Sequence, residues 1–141
     1  MSPAFWLRVG AVWGFLAISI GAFGAHGLKE HFAAAAAESG SLPAERLEAN
    51  FHTAAQYHMY CALALLAVGI LAHLCRGGAA LHAAGWLFLI GSLIFSGSLY
   101  ILAITGFRWL GAITPLGGVA MIAAWVALAV AAGSFGGTLR E

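Results

Sequence analysis

Charge is what this sequence has least of. Six lysines and arginines and five acidic residues make up only 8% of the 141 residues and leave a net charge of +1, where an average soluble domain carries roughly 25% charged residues. So small a supply cannot cover a water-facing surface, and with 62% hydrophobic residues the chain must live mostly in lipid. A nucleic-acid partner, which needs a basic stripe, is excluded on the same ground. The two cysteines, Cys61 and Cys75, form no CxxC pair. Lying on one expected helix about 21 Å apart, they cannot bridge each other. Cysteine usage therefore implies neither a structural metal nor a redox compartment. The sequence also lacks an HxxxH pair, the alternating pattern of a membrane barrel, and any carboxylate inside its apolar blocks. A proton pump or an enzyme relay would have to run on His58 and tyrosines alone, and no nucleophile with a base and an orienting group can be read from spacing.

What is present is a set of apolar blocks of about twenty residues, the length that crosses roughly 30 Å of hydrocarbon. They fall at about 5–25, 51–74, 81–104 and 109–135. The short links "CRGGAAL" and "TGFRW" make the last three blocks antiparallel neighbours. The expected fold is all-α: a four-span transmembrane helix bundle with a short interfacial helix between spans one and two, forming a single membrane domain over residues 1–141. The first block has the outline of a signal peptide, with Arg8 before an apolar run and small residues near Ala22–Ala25. Its removal would leave three spans, so it is read as a span. The connecting segment "LKEHFAAAAAESG" reads as an Ala-rich helix stopped at Ser39 and Gly40. After Pro43, welcome in a first helical turn, a helical pattern runs to Leu74 without a breaker, about 48 Å, so this helix must protrude, tilt or bend near Asn50.

With both termini on one side, that side holds Arg8, Arg76 and Arg140 and the other Lys29, Arg46 and Arg108, a tie under the positive-inside rule. The expected orientation puts both termini in the cytoplasm. The bilayer is the certain partner, with a second copy or another membrane protein also allowed. In span one, Gly10, Gly14, Ala17, Gly21 and Gly24 recur every three or four residues, a strip that lets another helix approach closely, within the chain or between copies. Gly85, Ser92 and Ser96 do the same in span three. In span four "TPLGG" places Pro115, Gly117 and Gly118 where a kink is expected, its freed carbonyls needing a neighbour, a hydroxyl or water.

Helix direction brings the polar motifs to one half of the bilayer. "GAFGAHGLKEHF" puts His26 and His31 just past the end of span one, and "FHTAAQYHMYCALALL" opens span two. The polar stretch "FSGSLY" closes span three, and Thr114 lies about 8 Å into span four. The expected cluster or ligand pocket is His26, His52, Gln56, Tyr57, His58, Cys61, Ser96, Ser98, Tyr100 and Thr114. On a helical wheel, polar groups cover most of the start of span two and leave only Ala55, Met59 and Ala62 for lipid, so the polar side chains should face other helices or a wet cavity. His58 and Cys61 share a face and are weak metal candidates, whereas His52 points elsewhere. A packed polar network is the plainer reading, and no cofactor is expected. His26 and His31 read most simply as histidines meeting helix-end carbonyls, His73 and His82 as loop-edge residues, and Trp6, Trp13, Trp86 and Trp109 as interfacial or core aromatics.

Together "GAFGAHGLK", "FHTAAQYHMYCALALL", "FSGSLYILAITG" and "LGAITPLGG" resemble the small membrane proteins of the domain of unknown function 423 family, which are similar also to transmembrane protein 256. The resemblance spans nearly the whole chain. It implies a four-span membrane protein, in the inner membrane of bacterial members, with no established activity, cofactor or binding residues. In that family a histidine often stands directly before the "ALAL" run, where this chain has Cys61. That replacement argues against an essential metal ligand there. The leading functional expectation is a structural or assembly component. The alternatives are a binding or transport module for a lipid or other small amphiphile, and a metal- or haem-binding redox subunit. A tight bundle with self-contact along Gly10–Gly24 would favour the first, and an apolar cavity of a few hundred cubic ångströms the second.

Overall fold

The computed structural model describes residues 2–40, 42–75 and 78–133, and within them every side chain except those of Ala25, His26 and Ser39. Five α-helices account for most of these residues: α1 (Pro3–Gly27), α2 (Lys29–Ser39), α3 (Ala44–Leu74), α4 (Ala79–Thr105) and α5 (Thr114–Gly133), with a 3-10 turn at Arg108–Ala112 leading into α5. Four stretches are long and apolar enough to cross a membrane, at Pro3–Gly24, Ala44–Leu74, Ala79–Thr105 and Arg108–Gly133. The all-α, four-span expectation is met, and α2 is the expected short helix between spans one and two.

Local chemistry sets the boundaries. Pro3 opens α1 in its first turn, where a missing N–H is harmless. Gly40 ends α2 and Gly106 ends α4, each in the left-handed conformation, with φ of 58° and 71°. Their N–H groups return to the carbonyls of Ala36 and Leu102, the cap that glycine favours because it has no Cβ to clash. The 31 residues of α3 form one unbroken helix. Its surplus length is taken up by protrusion: Leu47 and Phe51, 0% and 2% exposed, are covered where Phe32 of α2 packs on them.

The expected kink in span four takes another form. Pro115 falls in the first turn of α5, and the chain enters the span through the 3-10 turn instead. The N–H that proline lacks is thereby placed where no intrahelical bond is required. The Thr114 hydroxyl donates to the Leu110 carbonyl at 3.2 Å, the kind of hydroxyl rescue expected of an interrupted membrane helix.

Glycine governs how closely the helices approach. On α1 the strip faces α3: a Cβ at Gly10 would lie 2.8 Å from the Leu66 nitrogen, one at Gly14 3.7 Å from the Ala62 Cβ, one at Gly21 3.6 Å from the Ala55 Cβ, and one at Gly24 inside the Phe51 ring. Gly69 of α3 returns the arrangement, its Cβ position 2.9 Å from the Leu7 nitrogen. Ala55 and Ala62, expected to face lipid, are therefore the surface that α1 covers. Gly10–Gly24 is used up inside the chain and is not free for a second copy. Gly91 and Gly117 make the matching crossing of α4 and α5, where a Cβ on Gly117 would strike the Phe95 backbone and lie 2.7 Å from the Gly91 carbonyl oxygen. Between α1 and α4 the gap is filled by Trp6, wholly buried, its ring 2.6 Å from a Cβ placed on Gly85.

Gly117→Leu should destabilise the bundle by about 3 kcal/mol, because backbone cannot yield as a flexible side chain does. Gly97→Ala, at a position with open space around it, should change stability by no more than about 0.5 kcal/mol. Thermal unfolding of both variants in detergent micelles checks this, and equal losses would contradict it.

Candidate functional site

The ten residues expected to cluster divide into three groups. His52 lies outside the bundle, its side chain 56% exposed and its Nε2 3.8 Å from Glu48 one turn earlier. Gln56 is also exposed, and its amide donates to the Tyr60 hydroxyl at 2.6 Å. The expectation that the polar start of span two faces inward fails for these two. The physical reason is that α1 claims the alanine face of α3, which turns Gln56 and Tyr60 outward, where they satisfy each other. The side chain of His26 lies outside the described residues.

The second group is buried. His58 is 6% exposed and sits edge-on to Trp13 at 5.1 Å between ring centroids, with its Nδ1 3.4 Å from the Tyr100 hydroxyl. The Tyr100 ring in turn packs on Phe51 at 5.0 Å. Ser98 and Thr114 join α4 to α5 through hydroxyls 2.8 Å apart. Ser98 can also donate to the Phe95 carbonyl and Thr114 to that of Leu110. Two hydroxyl protons serve three such contacts, so at most two of them are made at once. The Cys61 thiol donates to the Met121 thioether at 3.3 Å, a polarisable contact between α3 and α5. It is thus committed to a packing partner, and both cysteines are free thiols. Among the described residues no three His, Cys, Asp or Glu side chains come together. His58 and Cys61 accordingly lack a third ligand of those types beside them.

Two buried polar atoms stand out because nothing among the described residues meets them: the Nε2 of His58 and the Oγ of Ser96. A buried polar group left in that state costs about 1–3 kcal/mol. Ser92, one turn before Ser96, is the opposite case. It accepts from the Trp13 indole N–H at 2.8 Å and donates to the Leu89 carbonyl at 3.0 Å.

Sequence reasoning missed the Trp13–Ser92 tie and a parallel one at the other end. Trp6 donates its indole N–H to the Nδ1 of His82 at 3.0 Å, so His82 is a helix-joining residue and not a loop-edge one. The available signal was weak: two tryptophans seven residues apart on span one, and a later span that carries His82 and Ser92 ten residues apart. His31 behaves as read. Its Nε2–H donates to the Ile104 carbonyl at 2.9 Å and ties α2 to the end of α4.

The third group lines a cleft. Between α3, α4 and α5 lies a cavity of about 340 Å³ bounded by Tyr57, Tyr60, Cys61, Phe88, Phe95, Gly118, Met121, Ile122 and Trp125. Of the expected site residues only Tyr57 and Cys61 belong to it. Its wall is aromatic and aliphatic: Tyr57 lies against Phe95 at 4.8 Å and Phe88 edge-on to Trp125 at 5.0 Å. Tyr57 and Trp125 are 40% and 58% exposed, so the cleft opens on the face that looks into lipid.

A family model described as a protein of unknown function (DUF423) matches residues 20–118. The chain is 48% identical over 124 residues to the UPF0382 membrane protein YwdK of Bacillus subtilis, covering 88% of this chain and 92% of that protein. It is 38% identical over 131 residues to a UPF0382 membrane protein of Staphylococcus epidermidis, covering 92% and 95%. Over 124 residues it is 40% identical to UPF0382 membrane protein SSP2132 of Staphylococcus saprophyticus, covering 86% and 91%. No solved structure matches the chain.

The two serines provide a direct test of the buried network. Ser92→Ala should cost about 1 kcal/mol by leaving the Trp13 indole without its acceptor. Ser96→Ala, which deletes an unpartnered hydroxyl, should be neutral or stabilising. Unfolding in detergent followed by tryptophan fluorescence reads both, and a large loss from Ser96→Ala would mean that this hydroxyl has a partner after all.

Proposed function

We propose that this chain, which belongs to the DUF423 family of membrane proteins of unknown function, holds the apolar tail of a lipid or similar amphiphile in the cleft between α3, α4 and α5. The observation that carries this reading is the cleft itself. It is concave, about 340 Å³, lined by aromatic and aliphatic side chains, and open toward the bilayer, which is the character of a small-molecule site. The glycine strip adds support, because α3 already occupies the surface through which a purely structural self-assembly was expected to form. A structural or assembly role draws its own support from the interlocked α1–α3 and α4–α5 crossings. We also place the chain in the bacterial inner membrane with its N-terminal end in the cytoplasm. The bacterial membrane relatives support the location, and a reporter fused before α1 that is active only in the cytoplasm tests the orientation.

Gly118 gives access to the cleft without disturbing the core, since a Cβ there meets only the Phe95 ring at 3.8 Å. Gly118→Leu should fill the cleft and leave the fold intact. Native mass spectrometry of protein extracted from membranes should find a lipid-mass adduct on the unaltered chain that is lost in the variant. Equal adducts on both, or none on either, would remove the reading.

A further inference from the structure

The groove does not end at Phe95. This ring also lines a second cleft, of about 360 Å³, toward the α2 side of the bundle, where Arg46 and Asn50 of α3, Arg108 of the 3-10 turn, and Thr114 and Pro115 of α5 converge. Arg46 and Asn50 are one helical turn apart and share a face. Both arginines are exposed. Among the described residues neither is in an ion pair, whereas His52 and Glu48 are. No carboxylate is among the described residues that line this cleft. α5 begins here at Thr114, so the partial positive charge of its N-terminus adds to the two guanidinium charges. The floor, by contrast, is apolar, built from Phe95, Leu99 and Leu102.

Position matters as much as charge. Arg46 lies in the first turn of α3, beyond the Phe51 layer that α2 covers, and Arg108 opens the fourth membrane-crossing stretch. Both arginines therefore fall at the starts of membrane-crossing stretches, the part of a span from which arginine can reach lipid phosphates. A guanidinium fork matches phosphate oxygens in geometry as well as in sign. A soluble phosphate would satisfy the two arginines but leave unused the apolar lining of Phe95, Leu99 and Leu102.

We propose that the cleft between Arg46 and Arg108 seats the phosphate of an anionic phospholipid whose tail passes Phe95 into the cleft at Tyr57, Cys61 and Trp125. This deepens the amphiphile reading and rests on it. Asn50 and the Thr114 hydroxyl stand beside the seat as further hydrogen-bonding groups. The absence of a carboxylate among its lining residues disfavours the ammonium of a zwitterionic headgroup, so the site selects net negative charge.

The test uses the full chain in mixed micelles containing equal phosphatidylglycerol and phosphatidylcholine, with retained lipid read by native mass spectrometry. The unaltered chain should keep phosphatidylglycerol over phosphatidylcholine by about tenfold or more, from roughly 1 kcal/mol for each basic residue near the headgroups. Arg46→Gln with Arg108→Gln should bring the two lipids to parity without abolishing retention. Arg46→Lys with Arg108→Lys, which keeps the charge and controls for folding, should preserve much of the preference. Equal retention by the unaltered chain, or an unchanged preference in the glutamine pair, overturns the phosphate seat. If Gly118→Leu still removes lipid in that case, the amphiphile reading survives alone. If Gly118→Leu removes nothing, that reading falls as well. Binding of glycerol phosphate that requires both arginines, with no selectivity between the two lipids, would assign the cleft to a soluble phosphate and overturn the lipid assignment.

Discussion

Everything else in this bundle depends on how closely its helices can approach one another. In lipid no hydrophobic driving force brings one apolar helix onto another, because the tails it would leave are as apolar as the leucines it would meet. Association has to come from dispersion contacts, and these require surfaces in register. Gly10 opposite Leu66 and Gly69 opposite Leu7 form a reciprocal lock between α1 and α3, and Gly91 with Gly117 forms another between α4 and α5. At each crossing one helix lacks the side chain that would keep its neighbour away.

Polar side chains then fix relative positions that packing alone leaves loose. The indoles of Trp6 and Trp13 bond to His82 and Ser92, so α1 is held to α4 at two depths. Ser98 with Thr114 and Cys61 with Met121 hold α5 against α4 and α3. His31 anchors α2 across the end of α4. Each of these contacts joins different helices, which is how a few polar groups in an apolar bundle select one arrangement among many of similar packing energy. His58 Nε2 and Ser96 Oγ are exceptions among the buried groups, and they lie among the satisfied ones.

The groove follows from that arrangement. α5 crosses α4 closely at Gly91 and Gly117 and reaches toward α3 with the longer Met121 side chain. The space left between α3 and α5 is walled by Tyr57, Tyr60, Phe95 and Trp125, with Arg46 and Arg108 at its upper end. Close packing on one side of α4 and α3 thus leaves two clefts on the other. The two clefts meet at Phe95, so one aromatic ring separates an apolar section from a cationic one.

The spans, their order and the interfacial helix were legible in the sequence, because block length and hydropathy are local properties that a bilayer reads directly. Glycine spacing on α1 and the helix stop at Gly40 were legible for the same reason. Which face of α3 meets α1 was not: the wheel gave Ala55 and Ala62 to lipid, and α1 took them because its glycines needed small partners. Nor could the sequence say that Pro115 would begin a helix and not bend one, since a 3-10 turn and an α turn differ by one residue in their bonding. The inward turn of His58, the outward turn of His52 and Gln56, and the meeting of Arg46 with Arg108 across residues distant in the chain were decided only by tertiary packing. A single rotation angle per helix settles all of them together, and that angle depends on contacts between helices that no one segment contains.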